Sequence, residues 1–130
     1  MNRFLRFGVV GAAVYVLDTL SFAALLGIGL PRLPARLGAL VLAVFASWLA
    51  NRGWTFRQQT RARPPTLGEF GRFAATQAAG AGVNALVSLA ALQVAAIAQI
   101  GPWGAVGLGS MAGMCVNFAG ARRFVYRGPG

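Results

Sequence analysis

Apolar residues run almost unbroken in four stretches of this chain: Gly8 to about Ile28, Leu37 to Asn51, Phe73 to about Ile97, and Trp103 to Ala121. A helix rising about 1.5 Å per residue needs roughly 20 residues to cross a hydrocarbon core of about 30 Å, so the pattern predicts four spanning helices. The second run is short for a span, and Trp48 to Trp54 lets its end sit in the interface. Gly27, Gly29, Pro31 and Pro34 stop the first helix and make a tight connection carrying Arg32 and Arg36, while Gly101-Pro102 joins the third run to the fourth. The one polar stretch, Arg52 to Arg72, holds Arg57, Arg61, Arg63, Pro64, Pro65 and Glu69 and reads as a loop. Arginines before the first run suggest a signal peptide, but a signal's apolar region is shorter and this segment recurs in mid-chain.

The runs come in two copies. Phe45 to Arg57 (FASWLANRGWTFR) matches Cys115 to Arg127 (CVNFAGARRFVYR) at an offset of 70, pairing Ser47 with Asn117, Arg52 with Arg122, Trp54 with Phe124 and Phe56 with Tyr126. Arg3 to Leu26 lies over Glu69 to Leu92 at an offset of 66, so Phe4, Arg6 and Phe7 fall on Phe70, Arg72 and Phe73, and Asp18 falls on Asn84. The change of offset places four extra residues of the second copy in Gln93 to Val116. Each copy contains two spans, so both enter the membrane the same way up, related by an axis near the membrane normal. The expected fold is all-α: a single transmembrane domain over 1–130, with two parallel tandem hairpin repeats at about 3–57 and 69–127 and a linker at about 52–72.

Composition sharpens this. With 57% hydrophobic and 11% charged residues, the chain departs from a soluble domain, where about a quarter of residues are charged. A net charge of +10 alone would suggest nucleic acid, but all twelve cations are arginines beside or between apolar runs. Ten arginines flank the termini and the central loop against two in the outer turns, which by the positive-inside rule puts both termini in the cytoplasm. Phe4, Phe7, Trp54, Phe56, Phe70, Phe73, Phe124 and Tyr126 then form an aromatic belt, with Trp54, Phe56, Phe124 and Tyr126 as interface anchors.

Candidate chemistry is sparse. The chain has one cysteine and no histidine, so disulfide, zinc and haem chemistry drop out, and Cys115 reads as a small packed apolar residue. There is no Ser-His-Asp set, Cys-His pair or phosphate loop, and no catalytic role or cofactor is expected. Tyr15, Asp18 and Ser21 make one polar stripe, and Gln77, Asn84 and Ser88 another. Such stripes serve as interhelical hydrogen-bond glue or as a polar cleft, and Asp18, costing at least about 2.5 kcal/mol at mid-span, favours a cleft shared with Asn84. Arg52 and Arg122, with Arg123, Asn51 and Asn117 nearby, either converge on a phosphate or snorkel to set topology. Arg57, Arg61 and Arg63 suit topology and contact with anionic lipids. Ala105, Gly109, Gly113 and Asn117 form a small-residue ridge suited to packing within the bundle or to a dimer.

The four spans and the doubled signature of Phe45, Asn51-Arg52, Trp54-Thr55-Phe56 and Asn117-Phe118, Arg122-Arg123-Phe124-Val125-Tyr126 resemble the GtrA-like family of small bacterial membrane proteins. Arg3-Phe4 to Gly11 with Asp18 is similar to that family's first helix. The resemblance implies an inner-membrane protein that moves a polyprenyl-phosphate-linked sugar, such as one carried on undecaprenyl phosphate, for surface polysaccharide decoration, and because four short helices make a narrow cleft a homodimer is expected. It further implies a phosphate held by Arg52, Arg122 and Arg123 and a sugar path lined by Asp18, Gln77, Asn84, Asn117 and Asn51. Ala121 stands where the first copy has Asn51, and the chain contains no lysine. A scaffold recruiting a membrane glycosyltransferase and a small proton-coupled cation exporter are the alternative expectations.

Overall fold

The computed structural model describes residues 1–94, 96 and 99–128, and the expected end of the third run at Ile97 lies outside them. Among the described residues the protein is helical and without strands. Four helices are long and apolar enough to cross a membrane. The described residues divide into two compact units, Met1–Thr66 with Gly128, and Leu67–Arg127.

In the first unit, α1 (Arg3–Gly27) starts at Asn2, whose side chain accepts the Leu5 N–H at 2.8 Å. It stops where Gly29 adopts φ 95°, a left-handed conformation open to glycine. Gly29 N–H donates to the Leu26 carbonyl at 3.0 Å and Leu30 N–H to the Leu25 carbonyl at 3.1 Å, the paired bonds of a Schellman ending. The next helix, α2 (Arg32–Ala50), begins earlier than the apolar run suggests. Pro34 sits in its first turn, where the missing N–H has no intrahelical partner to lose. Arg32 and Arg36 therefore belong to a helix and not to the connection. Ala35, Ala39, Ala43 and Ser47 are buried at intervals of four along one face of α2.

The second unit packs α4 (Leu67–Ala91) against α5 (Pro102–Gly120). Glu69, expected in a loop, lies buried in the first turn of α4, where a carboxylate complements the helix dipole. Gly101 at φ 83° turns the chain into Pro102, the first residue of α5. Ala105, Gly109 and Gly113 are buried. A Cβ on Gly109 would stand 2.5 Å from the Asn84 carbonyl oxygen, and one on Gly113 2.6 Å from that of Gly80. The small-residue ridge is thus consumed inside this hairpin, where glycine lets two backbones touch.

The second long helix of each unit runs into a π-helical turn, π1 (Asn51–Thr55) and π2 (Ala121–Val125), 70 positions apart by number. Phe56 N–H donates to the Asn51 carbonyl and Tyr126 N–H to the Ala121 carbonyl, each at 2.8 Å. The wider turn adds a residue to the helical register and re-aims the side chains that follow. As a result Phe56 and Tyr126 are fully buried, while Trp54 and Phe124 are exposed. Phe56 packs edge-on to Phe7 with centroids 6.4 Å apart, and Tyr126 meets Phe73 at 6.1 Å. The expectation of a belt is corrected for these four rings: Phe7, Phe56, Phe73 and Tyr126 are buried at the hairpin ends, while Trp54 and Phe124 are exposed.

After π1 comes a short helix, α3 (Arg57–Thr60), so the linker is irregular only between it and α4. Cys115 is exposed, contrary to the packed position expected for it. Only 6% of the most apolar window of α1 is buried. Residues such as Leu5, Val9, Val16 and Leu20 are exposed along it. Water would penalise that surface at about 25 cal/mol per Å², whereas hydrocarbon is its natural solvent. The chain is a membrane protein.

Candidate functional site

The two units place the expected polar residues in different settings. In the first, Asp18 does not stand open. Arg36 Nη1 donates to its Oδ1 at 2.6 Å, and the Arg36 guanidinium also stands 5.7 Å from the centre of the Phe22 ring. An acid inside a span is tolerated when paired with a cation, and α2 supplies one from its second turn. Tyr15, assigned to the same stripe, is exposed. Ser21 is half-buried.

At π1 the side chains hold the widened turn together. Asn51, almost fully buried, donates from Nδ2 to the Ser47 carbonyl at 3.0 Å and accepts from Thr55 Oγ1 at 2.8 Å. Arg52 is 7% exposed, and its Nη2 donates to the Arg63 carbonyl beyond α3. Thr60 Oγ1 donates back to the Arg52 carbonyl at 2.8 Å. Arg52 thus clasps the linker to the end of α2. Its guanidinium faces the chain's own carbonyl, a different partner from the phosphate expected for it.

In the second unit the expected residues are brought together. Asn117 Nδ2 donates to Gln77 Oε1 at 3.0 Å, and Ser88 Oγ donates to Asn84 Oδ1 at 3.2 Å. These pairs lie against Gly80, Gly109 and Gly113, in the seam where α4 meets α5. The Asn117–Gln77 bond fastens the two helices, contributing about 0.6 kcal/mol in a membrane setting, while the Ser88–Asn84 bond lies within α4.

Beside that seam runs an open groove of ≈ 640 Å³ lined by Arg72, Ala75, Thr76 and Ala79 of α4, by Val116, Ala119 and Gly120 of α5, and by Arg123 and Phe124 of π2. Because α4 and α5 run antiparallel, Arg72 and Arg123 share the π2 end and Ala79 and Val116 the other, about 10 Å away at 1.5 Å per residue. Gly120 gives the groove its depth, since a Cβ there would stand 2.8 Å from Thr76 Cγ2. The Arg123 and Arg127 guanidiniums stand 5.8 and 5.9 Å from the Phe124 ring centre. Arg122, the third expected phosphate ligand, is exposed and does not line the groove. Arg72 and Thr76 were not expected here, although the alignment of Arg72 with Arg6 is a signal that could have singled the arginine out.

Two apolar hairpins, each with a basic π turn after its second long helix, define an integral membrane protein. The chain belongs to the family described as GtrA/DPMS, transmembrane domain, matching it over residues 4–126. No curated protein matches the chain.

Proposed function

We propose that this protein moves a polyprenyl-phosphate-linked monosaccharide across the bacterial cytoplasmic membrane to supply cell-envelope polysaccharide glycosylation. Membership of the GtrA/DPMS transmembrane-domain family supports involvement in handling such lipids. The observation that carries the reading is the groove of the second unit, which offers two guanidiniums at one end and an apolar trough leading away. A prenyl phosphate has the same two-part chemistry. Stripping water from the phosphate is the main barrier to unaided crossing, and Arg72 and Arg123 replace that water with fixed, charged donors. The trough past Ala75, Ala79, Val116 and Ala119 takes the first isoprene units. The bond between Asn117 and Gln77 holds α4 to α5 and so keeps the groove's width.

In this reading both termini are cytoplasmic. Ten arginines at the termini and the central linker against two at the start of α2 support this orientation. Two copies form the working unit, since four helices leave a narrow path for a sugar. The test is photocrosslinking: benzoylphenylalanine at Ala75 or Ala119 should capture polyprenyl phosphate, and the yield should collapse when Arg72→Gln and Arg123→Gln are added. Equal capture with and without the arginines would remove the groove from the reading.

A scaffold role finds support in the linker, where residues 61–66 are all exposed and carry Arg61 and Arg63. Arg61→Gln with Arg63→Gln keeps the carbonyl that Arg52 uses. Loss of glycosylation with transport of the lipid intact would favour that reading. The cation-exporter alternative needs a free carboxylate, and Asp18 is bonded to Arg36.

A further inference from the structure

The first unit contains a separate cavity of ≈ 340 Å³ where the chain enters α1, walled by Arg3, Arg6, Trp54, Arg57 and Gln58 among others. Three guanidiniums from α1 and α3 share this space, and no carboxylate lines it. The chain has two acidic residues. Asp18 is bonded to Arg36, and neither acid is among the residues lining the cavity. Gathering like charges opposes folding, so their convergence is explained by an anion that enters among them.

Two of the arginines are already oriented. Arg3 Nη2 donates to Gln58 Oε1 at 3.1 Å. The Arg6 guanidinium stands 5.8 Å from the centre of the Trp54 ring, and its buried Nε has no hydrogen-bond partner among the described residues. Asn2, also in the cavity wall, marks the positive end of the α1 dipole. Little side-chain freedom remains to be lost on binding. The cavity lies at the end of α1, a helix long and apolar enough to cross a membrane, where a spanning helix meets the headgroup region, and its lining is mostly polar. It suits a headgroup and not a chain.

We propose that this cavity binds a phosphate group presented by an anionic phospholipid, as a resident lipid site distinct from the groove of the second unit. Inorganic pyrophosphate offers the same chemistry from water, so the test includes both. The full chain in detergent is titrated with phosphatidylglycerol, phosphatidylcholine or pyrophosphate, and retained ligand is read by native mass spectrometry alongside thermal unfolding. Phosphatidylglycerol should bind and raise the unfolding temperature, phosphatidylcholine should do neither, and Arg3→Gln with Arg57→Gln should weaken the binding roughly tenfold or more. Arg72→Gln with Arg123→Gln should leave it unchanged, so this site and the groove are tested independently. Stabilisation by pyrophosphate but not by phosphatidylglycerol would overturn the lipid as the source of the phosphate. Phosphatidylglycerol binding that survives loss of Arg3 and Arg57, or that vanishes with Arg72 and Arg123, would overturn the site.

Discussion

Arg36 reaches across the first hairpin to place its Nη1 2.6 Å from Asp18 Oδ1, joining two charges that neither helix could carry cheaply alone. Removing one charge strands the other in a span. Asp18→Asn and Arg36→Gln should each destabilise the protein by about 2–3 kcal/mol, on the scale of a charge at mid-membrane. The double variant should recover most of that loss, and a thermal double-mutant cycle in detergent checks the coupling.

In the second hairpin the contact between α4 and α5 is set by backbone. Gly109→Ala or Gly113→Ala would force apart carbonyls and helix axes that cannot yield as a side chain can. Each should cost about 2–3 kcal/mol, the upper part of the range for overpacking. Gly107→Ala, with open space around its Cβ position, should be close to neutral. Thermal unfolding compares the three.

The rings after the π turns divide by burial. Phe56→Ala should cost about 3–5 kcal/mol, the scale of an aromatic lost from a core. Trp54→Ala and Phe124→Ala remove exposed rings and should alter stability far less. The same unfolding assay ranks them.

Arg52 and Thr60 fasten the linker from both sides. Arg52→Gln should free the segment after α3 and raise tryptic cleavage after Arg61 several-fold, with helix content unchanged by circular dichroism. The Arg63-Pro64 bond resists trypsin and serves as an internal control.

Much of this architecture was legible from pattern. Four apolar runs became four long helices, because in a bilayer backbone polar groups must bond within the segment. The doubled motif also marked where the helix ladder widens, at Asn51 and Ala121. The in-or-out fate of the aromatics was not legible. On a regular helix Trp54 and Phe56 already lie about 200° apart, but which of them faces in depends on the extra residue of the π turn. Arg36 looked like a turn residue because Pro34 precedes it, yet proline is compatible with a helix's first turn. Asp18 therefore appeared unpaired. Arginine positions were visible, but not which guanidiniums meet chain carbonyls and which line cavities. That depends on α3, four residues long and too short to leave a periodic signal.

The most direct measurement is transport in proteoliposomes holding the purified protein and a fluorescent polyprenyl-phosphate monosaccharide, with inward or outward movement read by quencher accessibility. Wild-type protein should move the lipid, and Arg72→Gln with Arg123→Gln should slow it at least about a hundredfold while folding and insertion stay normal, the scale expected when two charge-assisted contacts are lost. Movement equal to that in empty vesicles, or undiminished movement by the double variant, would contradict the account.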